Sequence, residues 1–253
     1  MVPRAGQAGR QPTDVASTLR RSLHVPSHLS LPGWARRLLP GHGLPVPKRG
    51  ERPISELVFG TIDLETTGLS PKTCEILEIG LVVLRHGLPV RRFQTLVRTD
   101  RTVPSVIESL TGIREADLVG APPEPVALAR LLGVLEQEGV DVLVAHNARF
   151  DRSFLEAAWE RQVIEQPLLP FLCTIRLARR LMPGRRFGLD NLANRLGLLP
   201  RPRHRALGDA ELAADLFREL LRRAARRGIG SLEGLQSLQS MPRPFRARGP
   251  KPE

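Results

Sequence analysis

Leu57-Val58-Phe59-Gly60-Thr61-Ile62 is a short apolar, β-prone run that leads straight into Asp63-Leu64-Glu65-Thr66-Thr67-Gly68. An unbroken apolar run of this length reads as a central strand buried on both faces. If the strand continues through Asp63, its period of two puts Asp63 and Glu65 on one face. Two carboxylates converging at a strand end repel each other, and a cation between them removes that cost. Thr66-Thr67-Gly68 then turns the chain and offers backbone N–H groups to a phosphate or a terminal sugar. An exposed acidic turn closed by Gly68 is the competing reading of the same residues.

Downstream, the two elementary periods alternate. Residues 76–84 read as a second strand, ending at the turn around His86-Gly87, and residues 90–97 as a third. Helical spacing over 126–135 follows Pro122-Pro123, and 140–145 is a fourth, buried strand. Residues 152–163 form a helix with Phe154, Leu155, Ala158 and Trp159 on one face; 171–173 make a short fifth strand. Helices follow near 175–181 and 189–196, then a long one over 206–225 striped by Leu212, Leu216 and Leu220. Three consecutive strands and then alternating helix and strand predict an α/β fold, a central mixed sheet of about five strands flanked by helices.

The chain has 253 residues, 41% of them hydrophobic, enough for one domain with a buried core plus appendages. No apolar run approaches the roughly 18–20 residues that span a bilayer. Cys74 and Cys173 are too isolated for a disulfide framework or a metal knuckle and read as core residues of a reducing compartment. The formal charge is +12, unevenly spread. Residues 1–50 carry eight Arg/Lys against Asp14, and residues 222–253 carry eight against Glu233 and Glu253. Of 38 basic and 26 acidic residues, this leaves 22 and 23 for the middle, which is nearly neutral. Basic arms suit a polyanion, because counterions released from phosphates drive association without sequence reading. Coding bias is the rival source: lysine occurs only at Lys48, Lys72 and Lys251, and tyrosine is absent. The predicted organisation is a disordered, Pro/Gly-rich basic arm over 1–50, with at most a short helix near 15–23; a globular domain over 51–228; and a basic tail over 229–253. The Arg-rich leader reads as a bacterial extension rather than a transit peptide, which predicts a cytoplasmic protein.

Two further segments carry candidate chemistry. His146-Asn147-Ala148-Arg149-Phe150-Asp151 joins the fourth strand to the next helix, and Asp151 lies near that helix start. His204-Arg205-Ala206-Leu207-Gly208-Asp209-Ala210 opens the long helix. Taken singly, an acid at a helix start is accounted for by the helix dipole. Taken together with Asp63 and Glu65, the three segments follow the order of the DnaQ-like, or DEDDh, 3′→5′ exonucleases. The first resembles that family's first exonuclease motif, the second its HNxxFD element and the third its HxAxxDA element. Residues 107–113 resemble the loop that usually reads HGIT, with Leu110-Thr111 in place of the His-Gly lead-in. Cys173-Thr174-Ile175-Arg176-Leu177-Ala178-Arg179 resembles the connecting CT(L/V)xLAR helix. The resemblance covers about residues 55–225. It extends to proofreading subunits of bacterial replicative polymerases and to exonuclease domains that some bacteria fuse to UvrC-like nucleases. No second nuclease domain is expected here, and the clamp-binding consensus is too faint at 235–238 to assign.

The resemblance implies a ribonuclease H-like fold and two divalent ions, Mg²⁺ or Mn²⁺, since hard carboxylate oxygens suit these better than zinc. It implies that Asp63, Glu65 and Asp209 ligate the ions directly and that Asp151 holds the second through water. His204 is the implied general base, a role that imidazole in general suits because it titrates near neutrality. Thr66, Thr67, Gly68 and the Gly112-Ile113 loop are the implied seat of the terminal nucleotide, with Ile113 or Phe150 flanking its base. The implied activity is release of nucleoside 5′-monophosphates from single-stranded DNA 3′ ends, in replication proofreading or repair, with a DNA polymerase subunit as partner. Nothing in the motifs separates DNA from RNA, because the 2′-OH contact is made elsewhere. An RNA-trimming relative of oligoribonuclease or ribonuclease T therefore stays open. So does a non-catalytic polymerase adaptor, against which stands the presence of every carboxylate.

Overall fold

The computed structural model describes Lys48 and residues 50–242. The rest of the basic arm, with the helix expected near 15–23, and the end of the tail lie outside the described residues. Strand β1 (Val58–Thr66) runs through the middle of a five-stranded sheet of order β3-β2-β1-β4-β5. β2 (Ile76–Arg85) and β3 (Leu88–Leu96) return antiparallel on one side, turning at His86 and Gly87, both at positive φ. β4 (Val142–Ala145) and β5 (Phe171–Cys173) add parallel on the other side. Parallel neighbours need crossovers, and helices supply them. Helices α1 (Ser105–Thr111), α2 (Glu115–Leu118) and α3 (Glu124–Gln137) connect β3 to β4, and α4 (Arg149–Arg161) connects β4 to β5. After β5 come α5 (Thr174–Leu181), α6 (Leu189–Leu196), α7 (Ala206–Ala225) and α8 (Leu232–Ser240). The mixed five-stranded sheet flanked by helices is the one expected from the sequence.

Alternation along the strands divides the core into two layers. Phe59, Val82, Leu84, Val142 and Val144 pack with α5, α6, α7 and α8; Ile62, Leu64, Leu81, Val83 and Leu143 pack with α3 and α4. Each fully buried Leu, Ile or Phe contributes roughly 1.5–3 kcal/mol, so the two layers hold the sheet as a rigid platform. No helix among the described residues is long and apolar enough to cross a membrane.

Three local readings differ from the structure. Helix α4 begins at Arg149 rather than 152, directly after Asn147 leaves β4 at φ 66. The segment 107–113 is mostly helical, in α1, and is closed by Gly112 at φ 70, where a side chain would be strained. Within 229–253, read as tail, Leu232–Ser240 form a packed helix instead: the Ser231 hydroxyl accepts from Gly234 N at 3.1 Å, and Leu232, Leu235 and Leu238 are buried in the core. Three leucines interrupted by Gly234, in so short a stretch, are too few for a period to show. Gln239 of this helix covers the open edge of β5, accepting from Cys173 N at 3.0 Å and donating to Phe171 O at 3.1 Å.

Candidate active site

The same alternation that turns Phe59 toward α7 brings Asp63 and Glu65 to that face, at the carboxyl end of β1. α7 packs across β1 and β2, and Asp209 stands in its first turn. Carboxylate oxygens of Asp63, Glu65 and Asp209 lie within 4.8 Å of one another. Asp151, 2% exposed in the first turn of α4, comes up from the opposite layer and accepts from Leu64 N at 3.2 Å. Four acids predicted from separate segments thus meet at one end of β1.

Their electrostatics are those of an uncompensated site. Burial, followed by the charges of Asp151 and Glu65, holds the Asp63 carboxyl well above the usual carboxylate range. Burial and Glu78 push Glu65 up to about 7. Burial, with Glu65 adding to it, pushes Asp151 up to about 8, against the pull of the Leu64 and Asp151 backbone N–H groups. Carboxylates this crowded are mutually destabilising unless a cation joins them. The donors of the cluster are all hard oxygens, so they fit a hard divalent cation. Protein cations oppose this in part: Arg203 pairs with Asp209 and with Asp190, its charge draws Asp63 and Glu65 back toward ionisation, and Arg205 adds to it at Glu65. In a chain with 38 basic residues, nothing in the sequence singles Arg203 out.

His204 lies on the turn entering α7, half-buried at φ 56, and its ring makes no hydrogen bond to another described residue. Nearby Asp190 has its carboxyl lowered chiefly by the hydrogen bond from Arg203. The residues just after it are held firmly. Glu78, 0% exposed on β2, accepts from Arg205 Nη2 at 2.7 Å, from Ala206 N at 2.8 Å and from Gln94 Nε2 at 2.7 Å. It therefore caps α7, which has no side-chain cap of its own. Two glycines permit the close approach: a Cβ on Gly80 would lie 2.2 Å from the Ala206 carbonyl carbon, and one on Gly208 would lie 2.0 Å from Pro202 O. Glu78 was absent from the sequence reading, although a lone acid within the apolar run 76–84 was a usable signal.

The residues expected to seat a nucleotide divide. The Thr66 hydroxyl donates to Gly68 O at 2.6 Å, and Thr67 exchanges bonds with Glu75 through its amide and hydroxyl, both at 2.9 Å. These hydroxyls shape the turn that follows β1. Gly112 is exposed, whereas Ile113 is 2% exposed and packs with Leu77, Val103 and Leu118, so its side chain anchors the loop. Phe150 is partly buried against Phe154, with ring centroids 4.9 Å apart.

The matches to known proteins agree with this geometry. The RNase T exonuclease family model matches residues 61–217. The chain is 35% identical over 182 residues to the PolC-type DNA polymerase III of Thermotoga petrophila, a match covering 72% of this chain but only 13% of that polymerase. It is 33% identical over 183 residues to the DNA polymerase III subunit epsilon of Aquifex aeolicus, covering 72% of this chain and 89% of that subunit. Exonuclease X, solved in complex with 5′ overhanging duplex DNA, superposes with a TM-score of 0.57 at 27% identity, covering 72% of this chain and 99% of that one. The nuclease domain of 3′hExo, a DEDDh family member bound to rAMP, gives 0.60 at 20% identity, covering 71% and 96%. The family match runs from within β1 to within α7 and so takes in all four clustered acids and His204. This chain belongs to the RNase T exonuclease family, the DnaQ-like group that its motifs resemble.

Proposed function

We propose that the protein is a metal-dependent 3′→5′ exonuclease releasing nucleoside 5′-monophosphates from single-stranded DNA ends. The observation that supports it most is the meeting of Asp63, Glu65 and Asp209 within 4.8 Å, beside buried Asp151. Asp63, Glu65 and Asp209 would hold divalent ions, Mg²⁺ or Mn²⁺, with Asp151 serving the second. Bound there, such ions make a nucleophile available at neutral pH and neutralise charge on the attacked phosphate. The chain's own groups do the remainder. His204 takes the proton of the attacking water; a ring without bonds into the core is free to turn to it. Glu78, through Arg205 and Ala206 N, fixes the end of the turn that carries His204. The turn 66–68 and Gly112 seat the terminal nucleotide, with Phe150 beside its base. The polymerase relatives support a setting in bacterial cytoplasmic DNA replication or repair, with a polymerase subunit as partner.

The test is a time course on 3′-labelled single-stranded DNA, mismatched duplex and RNA of one sequence, in Mg²⁺ and in Mn²⁺. Stepwise loss of mononucleotides from the DNA 3′ end is expected. Preference for RNA would move the assignment to an RNA-trimming nuclease. Binding without hydrolysis in both metals would replace it with an adaptor.

A further inference from the structure

A cleft of about 730 Å³ opens past the carboxyl ends of β4 and β5, between the starts of α4 and α5 and the end of α8. Its charged lining is one-sided: Arg149, Arg152, Arg176, Arg179 and Arg180 face the single acid Glu156. Glu156 is already used, by Arg152 at 2.7 Å. Arg149 and Arg176 are exposed and have no acidic partner among the described residues. Both also stand where helix electrostatics oppose them. Arg149 is the first residue of α4 and Arg176 the third of α5, at helix ends whose dipole disfavours cations. Nothing within the described protein offsets that cost, whereas a polyanion in the cleft would.

The position of the cleft specifies which polyanion. Asn147, Ala148 and Arg149 on its wall belong to the same β4–α4 connection that delivers Asp151 to the acid cluster. β5 lies two strands from β1, roughly 10 Å at about 4.8 Å per strand. A strand whose end lies at the acids therefore reaches the cleft directly. Partly buried Ile175 adds apolar surface among the arginines, and an apolar patch within basic charge suits an unpaired backbone and its bases. Met241 is on the rim.

We infer that this arginine-lined cleft binds the phosphate backbone of single-stranded nucleic acid upstream of the terminal nucleotide, so that the chain grips its substrate well back from the bond it cuts. The strand direction rests on the exonuclease reading of the neighbouring acids.

The experiment compares the full chain with its Arg149→Glu/Arg176→Glu variant. Both sites are exposed, and a first-turn acid suits the helix dipole, so an unchanged melting temperature is the control. Anisotropy of labelled thymidylate dodecanucleotide and dinucleotide is read without metal across a KCl series. The wild type is expected to bind the dodecanucleotide with strong salt dependence. In the variant, the slope of log K against log[KCl] should flatten by about 1.4, two contacts at about 0.7 each, with dinucleotide binding little changed. Turnover of thymidine 5′-p-nitrophenyl phosphate in Mn²⁺, which has no upstream backbone, should be unaltered. An equal slope in variant and wild type, or no dodecanucleotide binding by the wild type, overturns the assignment. If neither protein cleaves any substrate while the slope still flattens, the exonuclease reading fails and the cleft stands.

Discussion

Glu65 on β1 and Glu78 on β2 face each other across the sheet, in register, on the side covered by α7. They share charge and neighbourhood but not circumstances. Glu78 is wholly buried and fully answered, by the Arg205 guanidinium, the Ala206 amide and the Gln94 side chain. Glu65 is less buried, has no comparable set of donors, and is pushed up to about 7. A buried acid supplied with donors is a structural tie, since leaving it unpaired would cost several kcal/mol. An acid gathered with Asp63 and Asp209 and left short of donors is a place for something the chain itself does not contain. The contrast teaches that burial alone does not settle a carboxylate's circumstances: Glu78 is matched by protein donors, and Glu65 stands among other acids without them.

The sharpest way to break the contrast is to remove each acid in turn. Glu65→Ala, Asp63→Ala or Asp209→Ala should each cost at least about 10³-fold in turnover on single-stranded DNA, while substrate binding changes far less. Near-normal turnover by Glu65→Ala would erase the distinction from Glu78. His204→Ala should lose roughly 10² to 10⁴ in rate with fold and metal binding kept, the usual worth of a general base. The acidic limb of its pH–rate profile should vanish; retention of that limb would place the base elsewhere.

Glu78→Ala should act on stability. It leaves the Ala206 amide and the Arg205 guanidinium without their acceptor, at a cost of about 2–3 kcal/mol in urea unfolding. A loss of turnover with no loss of stability would make Glu78 part of the chemistry. The smallest expected effect is in pH. In metal-free protein, the raised carboxyls of Glu65 (about 7) and Asp151 (about 8) keep protons that the unfolded chain has released. Between the ordinary carboxylate pKa, near 4, and about 8 the folded state then binds more protons, so stability falls as pH rises. Glu65→Gln should flatten the fall of the melting temperature over this window, and added Mg²⁺ or Mn²⁺ should oppose it. A wild type and variant with parallel curves would show that Glu65 is not strained.

Much of the site was legible before folding, because two periods of the chain carry it. The period of two puts Asp63 and Glu65 on one face, and the striped helix from Ala206 to Ala225 places Asp209 in its first turn. What was missed has a common cause. Glu78 meets Arg205 from 127 positions away, and Gln239 covers the β5 edge from 66 residues beyond Cys173. Helix α8 has only three leucines with which to announce itself. Ile113 was grouped with the nucleotide seat from its neighbours in the chain, and only the fold buries it with Leu77, Val103 and Leu118.

The amino-acid sequence by itself determined the strand and helix periods, the order of the elements and the residue types able to do phosphodiester chemistry, because sterics and side-chain period act within a few residues. Only the tertiary structure decided which acids are matched by protein donors and which gather without them, and that Arg149 and Arg176 line one cleft without an acidic partner among the described residues. Both depend on charges meeting across distant segments under low solvent exposure, and Coulomb energy follows distance and dielectric rather than position along the chain.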